Sequence, residues 1–138
     1  MISKKRSNKL LPLPEQGKIQ YIPRQGEIWL VEFPLTLEDR KPIRPCLVIS
    51  DNIQNQYGKW IVVITLTTED MEIIEPFEVY VENTPKNGLD YPSKLQLNYP
   101  RTIDRARLKE CLGVLNRKMI EKLRKAWKIA FDSESWDW

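Results

Sequence analysis

Apolar positions along the chain alternate with polar ones or form short continuous runs, and this predicts a protein built mainly from β-strands. In residues 76–82, for example, Phe77 and Val79 alternate with Glu78 and Tyr80, so one face of that segment is expected to be buried. Stretches with Pro, Gly, Asn and Asp separate the apolar segments and are typical of turns. The predicted strands are residues 27–33, 45–49, 60–66, 76–82, 94–98, 101–103 and 111–115.

Residues 45–49 and 60–66 are apolar almost throughout, which predicts strands that are covered on both faces. Residues 50–59 are predicted to be a turn-rich connection between them. After Asn116, a suitable N-cap, the apolar spacing becomes helical and basic side chains surround it. The predicted helical stripe comprises Met119, Ile120, Leu123, Trp127, Ala130 and Phe131.

Together these elements predict a mainly β (α+β) fold. We expect a small SH3-like bent sheet or barrel of about five to seven strands, with the C-terminal helix packed on it. A chain of 138 residues, 41% of them hydrophobic, has the size of one domain. We assign residues 23–132 to this domain, residues 1–22 to a flexible basic arm and residues 133–138 to an acidic aromatic tail.

The arm is either a solubilising tail or a docking element, and the tail is expected to expose Trp136 and Trp138. No apolar run reaches the ~18 residues of a membrane-spanning helix, and the basic N-terminus lacks the apolar segment of a secretory signal. The sequence therefore predicts a cytoplasmic protein.

The chain contains no histidine, which excludes a histidine-based catalytic triad, a histidine general base and histidine metal ligands. Cys46 and Cys111 lie in apolar segments and are expected to be buried, reduced thiols. Catalysis, if present, falls to Arg, Lys, Thr, Tyr, Asp or Glu. No metal ion or cofactor is expected.

Charge is strongly segregated along the chain. Residues 1–24 carry six basic groups against one acid, a net of +5, and residues 101–128 carry ten against three, a net of +7. Residues 69–90 carry seven acids against one lysine, a net of −6. Such polarity favours a surface for a polyanion, although a run of charge is also typical of a solvated face.

Three motifs follow one another along the chain: GEIWLV at 26–31, RPCLVISD at 44–51 and RTIDRARL at 101–108. In this order they resemble the motifs GDVYLV, RPxVVISND and RTIDxxRL of the MazF/PemK toxins, the ribosome-independent endoribonucleases of bacterial toxin–antitoxin pairs. Each motif alone is weak, but the ordered set at family-like spacing is specific.

The resemblance implies a catalytic pair of Arg44 and Thr67, with Thr65 and Thr68 as nearby alternatives to Thr67. It also implies sequence-specific cleavage of single-stranded RNA without a metal ion. The 2′-OH of the RNA would attack the neighbouring phosphate and leave a 2′,3′-cyclic phosphate and a 5′-OH. Arg44 is suited to this chemistry because its guanidinium can donate two hydrogen bonds to one phosphate.

Further residues are candidates for RNA binding. The loop before Arg44 either closes over RNA or is solvated, and Arg101 is either a substrate contact or a salt-bridged strand residue. The loop lacks the glycine that family members carry, and Asn98-Tyr99 stands where they carry an acidic residue; Tyr99 can stack on an unpaired base. The RNA-binding candidates are Glu38, Asp39, Arg40, Lys41, Thr68, Asn98, Tyr99 and Arg101.

By the same resemblance, the expected partners are single-stranded RNA, a second copy of the chain in a homodimer, and a cognate antitoxin. A disordered acidic segment of the antitoxin would cover the basic surface, to which Arg101, Arg105 and Arg107 would contribute. Two other functions stay open. One is a CcdB-like gyrase poison without enzymatic activity, for which Trp136 and Trp138 are a superficial parallel; the other is an inactive RNA-binding module.

Overall fold

The structure, a computed structural model, describes residues 9–12, 19–35 and 42–138. The predicted loop residues Glu38, Asp39, Arg40 and Lys41, and most of the predicted arm, lie outside these ranges. The strands are β1 (Lys9–Pro12), β2 (Ile19–Ile22), β3 (Glu27–Glu32), β4 (Ile43–Val48), β5 (Trp60–Thr67), β6 (Glu78–Val81), β7 (Ser93–Asp104) and β8 (Leu108–Val114). The α-helices are α1 (Asn52–Tyr57) and α2 (Ile120–Phe131).

Six strands form one antiparallel sheet in the order β6-β7-β5-β4-β3-β8, which confirms the predicted mainly β fold with a C-terminal helix. β1 and β2 pair separately as a two-stranded ribbon, which the sequence pattern did not predict. The ring of Tyr21 on β2 packs against the buried ring of Trp29 on β3, with their centres 5.5 Å apart. The ribbon is thereby attached to the sheet.

Buried side chains lie on both faces of this sheet. We call the face covered by α2 the helix face; its core includes Ile28, Leu47, Ile64, Leu66, Leu95 and Leu97, together with Ala126 of the helix. We call the other the far face; its core is Trp29, Val31, Phe33, Cys46, Val48, Ile61, Val63, Ile103, Leu108 and Cys111. Neighbouring residues of β4 and β5 alternate between the two cores, so the prediction of doubly covered strands is confirmed. Both cysteines are buried, reduced thiols, as predicted.

The connection between β4 and β5 was predicted to be all turn, and this is wrong. It contains α1, because the carboxylate of Asp51 caps the first turn by accepting the backbone N–H groups of Ile53 and Gln54 at 2.8 and 3.0 Å. Asn55 in this helix is fully buried. Its amide group hydrogen-bonds Ser50, and the Ser50 hydroxyl in turn accepts the N–H of Val62 on β5.

Residues 94–98 and 101–103 were predicted as two short strands, but they form one strand, β7, with a β-bulge. Ile64 of β5 lies opposite Pro100, whereas Leu66 lies opposite Leu95, so β7 contains three extra residues at this point. The proline is tolerated because a bulge interrupts the hydrogen-bond ladder, and a bulge also redirects the side chains that follow it.

The C-terminal helix begins later than predicted, and its predicted apolar stripe is confirmed only in part: Met119 and Leu123 pack against the helix-face core. Asn116 caps a short 3₁₀ turn through the N–H of Lys118, and α2 starts after that turn. The buried residue of α2 is Ala126, whereas Trp127, predicted to belong to the buried stripe, is 41% exposed. The small alanine lets the helix approach the sheet closely. The tail side chains Trp136 and Trp138 are exposed, as predicted.

Two glycines with positive φ allow a matched test of packing: Gly88 lies in the loop before β7, and Gly26 lies before β3 and serves as the comparison. Gly88 has a φ of +72°, and a Cβ there would lie 2.2 Å from the carbonyl oxygen of Leu112; Gly26 has a φ of +94°, but a Cβ there would meet no atom within 4 Å. We expect Gly88→Ala to lower the free energy of unfolding by clearly more than Gly26→Ala, whose cost is backbone strain of about 1–3 kcal/mol. Urea unfolding of both variants measures this, and equal losses would contradict it.

Candidate active site

Arg44 and Thr67 lie at neighbouring strand ends on the far face. In the β4–β5 ladder Cys46 pairs with Thr65, and continuing this register by two residues brings Arg44 opposite Thr67. Side chains two residues apart share a face of a strand, so both groups lie on the face of Cys46 and Thr65. Arg44 also pairs with Val31 of the far-face core. Its side chain is partly exposed.

The three threonines that the sequence offered differ in their surroundings. Thr65 is 2% exposed, and its hydroxyl is 3.9 Å from the thiol of Cys46, so it belongs to the core. Thr67, the last residue of β5, is 6% exposed and lies at the edge of the buried core. Its hydroxyl oxygen accepts the backbone N–H of Glu69 at 3.1 Å. Thr68 is exposed and follows the strand end.

The hydrogen bond that the Thr67 oxygen accepts leaves the hydroxyl proton available for a further hydrogen bond. A threonine hydroxyl has one proton to donate and two lone pairs that accept. Because the Glu69 N–H occupies a lone pair, the O–H proton can point elsewhere, towards the surface that Arg44 shares. Thr67 is therefore suited to donate a hydrogen bond to an anionic oxygen.

Arg101 reaches the same face because of the bulge in β7. Before the bulge, the odd-numbered Leu95 and Leu97 belong to the helix-face core. After it, Arg101 lies opposite the far-face residue Val63, so the odd positions have changed faces. Its guanidinium lies 4.0 Å from the ring centre of Phe33, the residue that follows β3. Because β5 and β4 lie between β7 and β3 in the sheet, this contact indicates that the sheet is curved.

The neighbouring RNA-binding candidates are accessible. Asn98 and Tyr99 are exposed at the bulge, and the Tyr99 ring centre is 5.6 Å from the Arg101 guanidinium. The structure therefore brings Arg44, Thr67 and Arg101 together on one face, with Tyr99 beside them.

One arginine of the predicted basic surface does not lie there. Arg105 is 9% exposed, and its guanidinium donates to the backbone carbonyls of Gln56 and Gly58. Burial lowers the pKa of Arg105 from its ordinary value. Its assignment to an exposed basic surface is corrected, because these carbonyls at the end of α1 hold it inside the fold. Arg107 donates to the carbonyl oxygen of Glu32 at 3.4 Å and stays exposed.

A buried ion pair, not foreseen from the sequence, supports the strand end at Thr67. Lys94 lies directly opposite Thr67 in the β5–β7 ladder, and its Nζ is 3.0 Å from Oε1 of Glu78 on β6. The two side chains are only 5% and 4% exposed. The same Nζ donates to the carbonyl oxygens of Asp70 and Ile73 at 2.8 and 3.0 Å. All three ammonium protons thus have acceptors, and the β5–β6 connection is pinned beside Thr67.

Burial by itself would raise the pKa of Glu78, but hydrogen bonds from the Glu75 N–H, from Lys94 and from Gln96 hold that pKa below its ordinary value. The alternation predicted for residues 76–82 is confirmed for Val79 and Val81, which are buried on the helix face, but Glu78, predicted on the opposite, polar side, is buried as well.

The sequence carries no local signal for this ion pair. Lys94 and Glu78 occupy the polar positions of alternating segments, and a buried lysine is recognised only by the counter-ion that a neighbouring strand supplies.

In residues 9–12, 19–35 and 42–138, no group of three or more His, Cys, Asp or Glu side chains is placed to hold a metal ion. Within the same ranges, no helix has both the length and the apolar character needed to span a membrane.

The chain is similar to a known protein family and to several solved structures. Residues 24–131 match the model of a family described as the PemK-like, MazF-like toxin of type II toxin–antitoxin systems. The chain is similar to the Mycobacterium tuberculosis toxin MazF-mt6, with 25% identity and a TM-score of 0.64 over 81% of this chain and 99% of that one. No curated protein matches the chain.

Two less identical structures share the fold. One is MazF from Deinococcus radiodurans, with 20% identity and a TM-score of 0.66 over 81% of this chain and 98% of that one. The other is a mycobacterial endoribonuclease in complex with its cognate antitoxin, with 19% identity and a TM-score of 0.66 over 83% of this chain and 99% of that one.

The buried ion pair generates a prediction about stability. Replacing Lys94 with Met leaves the Glu78 carboxylate buried without its counter-ion, so we expect Lys94→Met to lower the free energy of unfolding by about 3–5 kcal/mol. The control is Lys109→Met, which removes the half-exposed pair of Lys109 with Glu32 and is expected to cost at most about 1 kcal/mol. Urea denaturation compares the two, and similar losses would argue against a structural role for Lys94.

A second prediction concerns the stability of the fold at acidic pH. Because the folded-state pKa of Glu78 lies below its ordinary value of 4.5, its contribution to stability is present above pH 4.5 and is lost as the pH falls through the folded-state value. We expect Glu78→Gln to lose less stability than the wild type over that acidic range. Unfolding free energies of both proteins across the range test this. Parallel curves would show that Glu78 is not linked to acid unfolding.

Proposed function

Because the chain belongs to the PemK-like, MazF-like toxin family of type II toxin–antitoxin systems, we propose that it is an endoribonuclease that cuts single-stranded RNA at specific sequences. The family match confirms the resemblance drawn from the three sequence motifs. The observation that supports the proposed activity is the β4–β5 register, whose continuation past the Cys46–Thr65 pair sets a guanidinium and a hydroxyl on one face at adjacent strand ends.

In this proposal RNA supplies its own nucleophile, the 2′-OH, which attacks the adjacent phosphorus. The 5′-oxygen leaves, and the products carry a 2′,3′-cyclic phosphate and a 5′-OH. The protein needs to hold the strand for in-line attack and to stabilise charge on the phosphorane oxygens. No metal ion takes part. DNA lacks the 2′-OH and is not a substrate.

Each residue of the pair has a distinct task. Arg44 donates two hydrogen bonds to the phosphate oxygens, which the single ammonium of a lysine cannot reproduce. The Thr67 hydroxyl donates a hydrogen bond to a phosphate oxygen. This role is supported by the hydrogen bond that the Thr67 oxygen itself accepts from the Glu69 N–H. Both donors gain strength because the far-face core beneath them excludes water.

The surrounding residues bind the rest of the RNA strand. Arg101, held over the Phe33 ring, contacts a neighbouring phosphate, and Tyr99 stacks on an unpaired base with help from Asn98. Thr68 contributes a further hydroxyl beside Thr67. The loop residues Glu38, Asp39, Arg40 and Lys41 precede Arg44 in the chain and are proposed to close over the substrate.

We further propose that the chain acts as a homodimer and that a cognate antitoxin silences it. A disordered acidic segment of the antitoxin would compete with RNA for the basic groups around Arg101 and Arg107. A similar mycobacterial endoribonuclease is found in complex with its cognate antitoxin, which supports this partner.

The activity is tested with purified protein and a long unstructured RNA in the presence of EDTA. We expect cutting by the wild type, and a loss of roughly 10²–10³-fold in rate for Arg44→Ala and for Thr67→Val, because each change removes a donor to developing charge. Thr67→Ser should keep most of the activity. The control is Arg124→Ala, an exposed arginine of α2 on the other face of the sheet, which should cut normally.

The same assay distinguishes the alternatives. Trapping of DNA gyrase without RNA cleavage would replace the proposal with a CcdB-like poison. Retention of RNA without any cleavage would indicate a binding module. Full activity in Arg44→Ala would remove this arginine from the mechanism.

A further inference from the structure

An open depression beside the candidate active site is not explained by cleavage chemistry alone. Its volume is about 610 Å³, which lies within the range of small-molecule sites. It is lined by Thr68, Met71, Tyr80, Tyr91 and Pro92. Tyr80 and Tyr91 are 43% and 69% exposed, so two aromatic rings face solvent at one place.

The depression lies next to the candidate site, both along the chain and across the sheet. Thr68 directly follows Thr67, and Thr67 pairs across the sheet with Lys94, which pairs in turn with Tyr80. Directly opposed residues share a face, so Thr67 and Tyr80 both lie on the far face. They are separated by two strand spacings, about 10 Å between backbones.

Its walls are held in place before any ligand binds. Lys94 fixes the carbonyl oxygens of Asp70 and Ile73, on either side of Met71 in the chain. The hydroxyl of Tyr80 donates to Oε1 of Glu82 at 3.0 Å, which fixes the ring. This hydrogen bond raises the pKa of Tyr80, so its ring stays neutral.

The chemistry of the depression favours a base over a phosphate. None of its five lining residues is basic, and two of them, Met71 and Tyr80, belong to residues 69–90, which carry seven acidic groups and one lysine, so a phosphate finds no positive partner there. A flat nucleobase stacks on tyrosine without needing positive charge. The carboxylate of Glu82 has further lone pairs that accept hydrogen bonds from an exocyclic amino group.

We propose that this depression is a specificity subsite that receives one unpaired, amino-bearing base of the substrate RNA, stacked on Tyr80 and Tyr91. The subsite rests on the ribonuclease function proposed above and adds a choice of base to it: adenine, cytosine or guanine in preference to uracil. The phosphates of the same strand stay with Arg44 and Arg101.

The first experiment measures binding without cleavage. Short RNAs with 2′-O-methyl groups cannot be cut, and ultraviolet cross-linking to the full chain followed by mass spectrometry locates the contacted residues. Cross-links on Tyr80 or Tyr91 to an amino-bearing base support the subsite even if the wild type cuts no RNA, in which case the proposed function alone fails. Cross-links confined to Tyr99 or other residues overturn the subsite.

The second experiment maps the cleaved ends of one long RNA. For Tyr80→Ala and Tyr91→Ala we expect the preference at one position of the cleavage motif to disappear and KM for a matching short RNA to rise roughly ten- to a hundredfold, with kcat little changed. The control is Tyr57→Ala, which removes another exposed tyrosine, on α1. Thermal melts verify that all three variants are folded.

A cleavage pattern identical to that of the wild type in both tyrosine variants would overturn the subsite.

Discussion

The pairing of β4 with β5 is the constraint on which the candidate site depends. Antiparallel pairing opposes Cys46 and Thr65, and because side chains alternate with a period of two, it directs Arg44 and Thr67 to one face. A shift of one residue would send the Thr67 hydroxyl into the helix-face core and bury it beside Leu47 and Ile64. The buried residues on both faces of these strands resist such a shift, so the packing of the core also fixes the geometry of the site.

A local irregularity completes this arrangement. Without the bulge at Tyr99-Pro100, the odd-numbered positions of β7 would all face α2, and Arg101 would point away from Arg44. The bulge turns the second half of the strand over, and the curved sheet brings Arg101 onto the ring of Phe33. Pro100 lies in a central strand, where a proline would otherwise remove a ladder hydrogen bond. Its position thus coincides with the change of face that the site requires.

The basic side chains near the site fall into two groups: a buried lysine that stabilises the fold, and arginines that are partly exposed. Lys94 is saturated by Glu78 and two carbonyl oxygens, so it stabilises the acidic β5–β6 connection and has no proton left for a substrate. Arg44 and Arg101 remain partly exposed on the same face. The acidic segment therefore lies beside the surface of Arg44 and Arg101, to which the proposed function assigns the phosphates of RNA.

Local patterns of side chains were enough to predict most strands of the six-stranded sheet, the C-terminal helix, the doubly covered strands, the buried cysteines and the three motifs that identify the family. They could not reveal that Asn52–Tyr57 forms a helix, that Ala126 is buried whereas Trp127 is exposed, or that Arg105 is buried. Those outcomes depend on partners distant in the chain: Ser50 and Val62 around α1, the sheet beneath α2, and the carbonyls that receive Arg105. The pairing of Lys94 with Glu78 and the change of face at Arg101 were likewise decided by the tertiary structure, since strand register and a bulge become visible only when neighbouring strands are aligned.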